Sequence, residues 1–191
     1  VSRVFQNPFM GTAPDMTIAE NLHMAALRGK RSYPRVGLNT HSRSVYQERV
    51  KALEMQLEDR LDNEIGTLSG GQRQALTLLM AVIIEPKVLL LDEHTAALDP
   101  RNAAIVMDLT TRFIREHRLT TLMITHNMNH AIAYGSRLLM MDAGEIIIDV
   151  SGEEKKKLTV PKLLEMFADI RRQEFENDEV LLAAVKKRAA I

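Results

Sequence analysis

Cysteine and tryptophan are absent from this 191-residue sequence, and aromatic residues of all kinds make up only 4%. Without cysteine there is no disulfide scaffold, no thiolate metal site and no cysteine nucleophile, a pattern compatible with the cytosol. Charge of one sign is not in excess either. The 25 basic and 25 acidic side chains cancel, so no global field draws the chain to nucleic acid or anionic lipid. Long hydrophobic runs are missing: the longest, Leu76 to Ile84, contains Thr77 and falls well short of the roughly 20 residues that span a bilayer. The first residues of the sequence show no basic-then-apolar signal pattern. What remains, 46% apolar and 26% charged residues, is the balance of a globular protein, long enough for one domain or one domain with a small subdomain.

Hydrophobic patterning gives an ordered series of elements. Val1 to Phe5 reads as a strand closed by Asn7-Pro8; a start this abrupt is expected of a chain whose true beginning lies upstream. Thr17-Ile18-Ala19-Glu20 is a capping box opening a helix to about Leu27. A Gly-, Pro- and Ser-containing loop follows from Arg28 to Ser44. Tyr46 to Leu61 carries Val50, Leu53, Leu57 and Leu61 at helical spacing. Gln72 to Glu85 predicts a helix apolar on most sides and therefore buried, stopped by Pro86. Val88 to Leu91 is a continuous apolar run, as suits a strand covered on both faces of a parallel sheet. Asp99-Pro100 opens a helix to about Glu116, with Asp as N-cap and Pro in the first position. Thr120 to Ile124 is another apolar strand, Met128 to Tyr134 a short helix ended by Gly135. Arg137 to Met141 and Glu145 to Val150 pair around Asp142-Ala143-Gly144. The tail from Val160 to Ile191 reads as helical and charged. Alternation of strand and helix implies an α/β fold with a mostly parallel sheet.

In such sheets ligands bind beyond the carboxyl ends of the strands. Asp92-Glu93 follows one apolar strand and Thr125-His126 another. A carboxylate at the end of a buried strand is a hard oxygen ligand suited to Mg²⁺, and a second one beside it can orient or deprotonate a water. Leu68-Ser69-Gly70-Gly71-Gln72 places two glycines and a hydroxyl where a helix begins, so that free N–H groups and the positive dipole end form an anion site.

Taken together, these stretches resemble the ATP-hydrolysing subunits of ABC transporters. Leu68-Ser69-Gly70-Gly71-Gln72 is similar to the family's signature motif, Leu90-Leu91-Asp92-Glu93 to Walker B and Ala97-Leu98-Asp99-Pro100 to the D-loop. Ile124-Thr125-His126 is similar to the switch-histidine segment, and Val4-Phe5-Gln6-Asn7-Pro8 to the Q-loop. The resemblance covers roughly residues 1–167. It implies a P-loop NTPase-like, mostly parallel sheet, incomplete at the N-terminus. An inserted helical subdomain would occupy about 8–67, the catalytic core 68–150, a C-terminal helix 151–167 and a helical extension 168–191.

The implied cofactors are ATP and Mg²⁺. Asp92 would hold Mg²⁺, with Gln6 sensing the metal and the water. Glu93 would be the general base, and His126 would contact the γ-phosphate. Ser69, Gly70, Gly71 and Gln72 would bind ATP held by the opposite subunit of a head-to-tail dimer, and Asp99 would communicate between its two sites. A membrane permease, a second ATPase subunit and a solute-binding protein are the implied partners, with no nucleic acid. The location would be peripheral, on the cytoplasmic face of the membrane.

Two departures from the family pattern stand out. The sequence has no G-x-x-x-x-G-K-[ST] stretch, whose backbone N–H groups and lysine grip the phosphates; it is therefore expected neither to bind nor to hydrolyse ATP alone. A non-catalytic module that donates only its signature motif to an intact subunit is the alternative. His94 stands where most members have proline; His94-Thr95-Ala96-Ala97 with Asn127-Met128 resembles a subgroup of bacterial import ATPases for amino-acid-like solutes. Arg28, Lys30, Arg31, Arg35 and Arg43, with no acidic residue from Asn21 to Gln47, form a local basic stretch suited to a membrane surface or an acidic coupling helix.

Overall fold

Strand β2, Val88–Asp92, is the axis of the first half of the protein. The computed structural model describes residues 1–29 and 37–172, so Lys30, Arg31 and Arg35 of the basic stretch and residues 173–191 of the tail lie outside the described residues. The chain divides into two compact units, Val1–Ile124 and Thr125–Ile191. In the first, β1 (Ser2–Val4), β2 and β3 (Thr120–Ile124) form a parallel sheet in the order β1-β2-β3. Register pairs Arg3 with Leu90 and Asp92 with Ile124. Parallel neighbours require crossovers. The first is made by α1 (Ile18–Leu27), α2 (Thr40–Lys51) and α3 (Gly70–Val82), and the second by α4 (Pro100–Glu116).

The core of this unit joins Val4, Leu89 and Leu91 of the sheet to Ile18 and Leu22 of α1, Leu76 and Leu78 of α3, and Val106 and Phe113 of α4. Helix α3 is buried along its length from Arg73 to Val82, as its apolar sequence requires. Burial in β2 alternates, with Leu89 and Leu91 enclosed and Val88 and Leu90 half-covered. On β3, the second apolar strand of the sequence, Leu122 and Ile124 are exposed by 53% and 55% while Thr121 and Met123 on the other face are half-covered.

Local chemistry fixes the helix starts. Thr17 and Glu20 form the reciprocal capping box on α1, and Asp99 accepts from the Arg101 and Asn102 N–H groups at 3.1 Å with Pro100 next. The helix expected over 46–61 differs from what forms. An Asn39 cap opens α2 inside the expected loop, and the helix ends at Lys51. Glu54 and Gln56 then take φ of 57° and 56°, breaking the helix. Leu53, Leu57 and Leu61 still reach the core, delivered by turns instead of helical spacing. At the other end, α3 stops at Val82, because Glu85 adopts φ 48° ahead of Pro86.

In the second unit, α5 (Met128–Ala133) precedes an antiparallel hairpin of β4 (Arg137–Asp142) and β5 (Glu145–Ser151). Its two turn residues, Ala143 and Gly144, have φ of 46° and 90°, the left-handed pair that matches strand twist in a tight hairpin. The short helix α6 (Gly152–Lys156) and helical residues 160–172 follow. Leu163 packs with Leu138, Ile148 and Val150. Lys155, first of three successive lysines, is buried and donates to the Ile132 and Tyr134 carbonyls at 2.6 and 3.0 Å, closing the end of α5.

Asn21 holds the entry to α1. Fully buried, it accepts from the Ala13 N–H at 2.8 Å and shares its amide hydrogens among the carbonyls of Ala13, Met16 and Thr17. Asn21→Ala strips partners from the half-buried Ala13 N–H and the neighbouring carbonyls. It is expected to cost about 3 kcal/mol, read as a lower urea midpoint by far-ultraviolet circular dichroism at unchanged slope.

Candidate functional site

The carboxyl end of β2 gathers four polar side chains of the first unit. Asp92 closes the strand, and its Oδ2 takes a charge-assisted hydrogen bond of 2.5 Å from Arg3 on β1. Parallel register explains the pair: Arg3 sits opposite Leu90, and Asp92 is the next residue of β2 on the same face. Arg3 also lies over the Phe5 ring, 4.7 Å from its centre. Glu93 follows with φ 45°, a left-handed conformation that costs energy outside glycine and collects at functional sites. Its N–H donates to Ile124 O at 3.0 Å, and its Oε2 accepts from Gln6 Nε2 at 3.3 Å. Gln6, Asp92 and Glu93, singled out from the sequence, are thus brought together. Arg3 was missed, and the register of β1 on β2 is the signal that would have found it.

A second cluster forms where α3 and α4 begin. Ser69 caps α3: its Oγ accepts from the Gln72 N–H at 3.3 Å, while Gln72 Oε1 accepts from the Ser69 N–H at 3.2 Å. With one lone pair so engaged, the hydroxyl keeps its hydrogen to donate outward. Ser69 and Gly70 are exposed at the positive end of the helix. A Cβ on Gly70 would meet only Leu98 Cδ2, at 3.6 Å, whereas one on Gly71 would fall 2.6 Å from the Asn102 side chain. The two glycines therefore serve different ends: Gly70 leaves backbone open to a ligand, and Gly71 makes room for α4. Asn102 in turn donates to Asp99 Oδ2 at 2.6 Å, so one side chain, unnoticed in the sequence, both packs on the Gly70-Gly71 turn and holds the residue that caps α4.

His126 belongs to the second unit. It is exposed, in a turn where Thr125 Oγ1 accepts from the Asn127 N–H at 3.0 Å and Asn127 caps α5. The donor set at the end of β2 suits Mg²⁺ with a nucleotide. Two carboxylates and one amide oxygen are all hard ligands. Among the described residues no three His, Asp or Glu side chains converge as a metal-binding group, so the rest of an octahedral shell would come from phosphate and water, as Mg²⁺ prefers. No described helix is long and apolar enough to cross a membrane.

Comparison with known proteins gives the family and the fold. The sequence profile of the ABC transporter family matches residues 1–96. A tyrosine transport ATP-binding protein of Clostridioides difficile is 47% identical over 167 residues, covering 87% of this chain and 66% of that protein. The phosphate-import ATP-binding protein PhnC of Mycolicibacterium smegmatis is 34% identical over 135 residues, covering 70% and 51%. Among solved structures, an ATP-binding cassette of an ABC transporter in its ADP conformation matches with a TM-score of 0.67 and 26% identity over 87% of this chain and 67% of that one. A bacterial ABC transporter cassette solved as a dimer matches at 0.64 with 26% identity, covering 79% and 62%. The chain belongs to the ABC transporter family, and its fold is that of the P-loop NTPase cassettes. It spans about two thirds (66%) of the length of the tyrosine-transport relative and about half (51%) of the phosphate-import one.

The Asp99 carboxyl is held below its ordinary range, chiefly by the Asn102 N–H and then by the Asn102 side chain. A carboxyl lowered in the fold contributes stability that is complete above its unfolded value and disappears as pH falls through the folded one. Hydrogen exchange at the first turn of α4 is expected to speed up only below the usual carboxylate range. Asp99→Asn, which keeps an acceptor but cannot titrate, should flatten that dependence.

Proposed function

We propose that these residues form the Walker B and signature parts of an ATP-hydrolysing subunit that powers solute import through a membrane permease. The contact that carries the reading is Gln6 Nε2 to Glu93 Oε2 at 3.3 Å: the end of the Q-loop strand and the second Walker B carboxylate face one reaction space. Asp92 would hold Mg²⁺ there, giving up its hydrogen bond to Arg3 to do so. Bound Mg²⁺ would supply charge neutralisation at the phosphate oxygens. Glu93 accepts the proton of the attacking water, with Gln6 fixing the carboxylate that receives it. His126 contributes a donor to the γ-phosphate. Ser69, Gly70, Gly71 and Gln72 present a hydroxyl and helix N–H groups to ATP held by a second subunit in head-to-tail array, and Asp99, bonded to the Asn102 side chain that packs close to Gly71, links the two sites.

The proposal concerns the assembled transporter, where a P-loop meets these residues. In that assembly Glu93→Gln is expected to lower ATP turnover by about a hundredfold or more with ATP binding retained. Unchanged turnover in Glu93→Gln, together with loss in Ser69→Ala, would favour instead a subunit that only donates its signature turn.

A groove in the first unit is suited to the permease. A cavity of about 390 Å³ is lined by Arg3, Phe5, Met10, Met24, Arg28 and Thr77 among others. Met10 and Met24 are 69% and 43% exposed, and Arg28 is held in place by the Met80 carbonyl. Flexible methionines between arginines fit a short helix with an acidic end. Met24→Glu is expected to abolish co-purification with the permease while leaving ATP binding intact. A solute-binding protein completes the assembly, nucleic acid has no part in it, and the cytoplasmic membrane face is its place. The tyrosine-transport relative and the His94–Ala97 pattern favour an amino-acid-like solute.

A further inference from the structure

His94 has no part in the roles above, yet it is among the most enclosed polar residues of the protein, 2% exposed. Its Nε2 lies 3.1 Å from Thr110 Oγ1, and Thr110, on α4, is itself 1% exposed. The direction of this bond follows from counting hydrogens. Thr110 Oγ1 also lies 2.7 Å from Val106 O. A carbonyl only accepts, so the single hydroxyl hydrogen is spent there. What Oγ1 offers the ring is a lone pair; hence Nε2 carries the hydrogen, His94 is the donor and Thr110 the acceptor.

The position of this bond in the chain gives it meaning. Glu93, one residue earlier, holds φ 45°, a conformation that persists only where the surroundings over-determine it. On its N-terminal side the Glu93 N–H is fixed by Ile124 O, and the Glu93 carbonyl accepts from the Ala96 N–H at 2.9 Å. On its C-terminal side the next ring is fastened to a helix of 17 residues whose inner face, with Val106, Leu109 and Phe113, is part of the core. An aliphatic side chain could fill the space occupied by His94, but only a directed donor fixes its rotation, and with it the turn that carries Glu93.

We infer that His94 is a positioning residue for Glu93: its Nε2–H···Oγ1 bond to Thr110 clamps the turn after β2 onto α4 and so sets where the Glu93 carboxylate stands. This rests on the reading of Glu93 as the base, and the tests separate the two. In the assembled transporter, His94→Leu and Thr110→Val each remove the bond. Each is expected to lower kcat about tenfold with KM for ATP changed less than about twofold, the signature of a misplaced group. The double variant should be no worse than either single one. Thr110→Ser, which keeps the acceptor, and His94→Gln, whose amide can reach the same oxygen, should both recover most of the rate. Equal rates in all variants of an active parent, or equal losses in Thr110→Ser and Thr110→Val, would overturn the inference. A parent without turnover would count against the Glu93 reading alone. Two readouts independent of activity then decide. Nitrogen-15 spectra of the histidine-labelled protein should show the His94 ring protonated on Nε2, and Thr110→Val should speed hydrogen exchange at the Glu93 amide. A ring protonated only on Nδ1, or unaltered Glu93 exchange in a folded Thr110→Val protein, would overturn it.

Discussion

A helix enclosed on nearly every side can meet solvent only at its ends, and α3 does so at Ser69 and Gly70. The rest of the first unit is arranged around that necessity. The helix carries three polar side chains into the core, and their donor groups find partners there. Arg73 reaches the carbonyls of Ile65, Gly66 and Leu68, with Phe9 stacked 3.8 Å from its guanidinium carbon. Thr77 donates to Arg73 O. Gln74 donates to Phe5 O at 3.3 Å, the carbonyl of the residue just before Gln6. One buried helix thus presents the Ser69-Gly70 turn at its start and, in mid-length, bonds the backbone that leads into Gln6.

Electrostatics at the strand ends follows a similar economy. Asp92 and Glu93 are adjacent carboxylates, and adjacency of like charge is unfavourable unless each is separately satisfied. Here they part company through backbone geometry. Asp92 leaves the regular strand toward Arg3, while the left-handed turn at Glu93 swings its carboxylate toward Gln6. The left-handed backbone at Glu93 is what lets neighbouring acids face different partners.

Local features were legible in the sequence because they are written in neighbouring residues. The Thr17–Glu20 capping box, the Asp99-Pro100 helix start, the unbroken apolar run of β2 and the turn at Ala143-Gly144 all formed where their chemistry placed them. What escaped depended on residues distant in the chain. Val50, Leu53, Leu57 and Leu61 have helical spacing, yet the helix ends at Lys51, since nothing in Glu54 or Gln56 signals a left-handed turn that is held partly by Arg112 reaching back to Glu54. The site was legible as motifs; its bracing was not. Arg3 needs the strand register, Asn102 needs the packing of α4 on α3, and the role of His94 needs Thr110, sixteen positions away.

The three lysines at 155–157 are indistinguishable in sequence but chemically unequal in the fold. Lys155, its pKa lowered by burial, has its ammonium hydrogens committed to two carbonyls, whereas Lys156 is solvent-facing beside Glu153. Any acylating reagent or enzyme acting on the folded chain meets a run of three amines of which only Lys156 and Lys157 are exposed. A tag or crosslink placed there will sort by position, and acquisition of a label at Lys155 is a direct report that the second unit has opened.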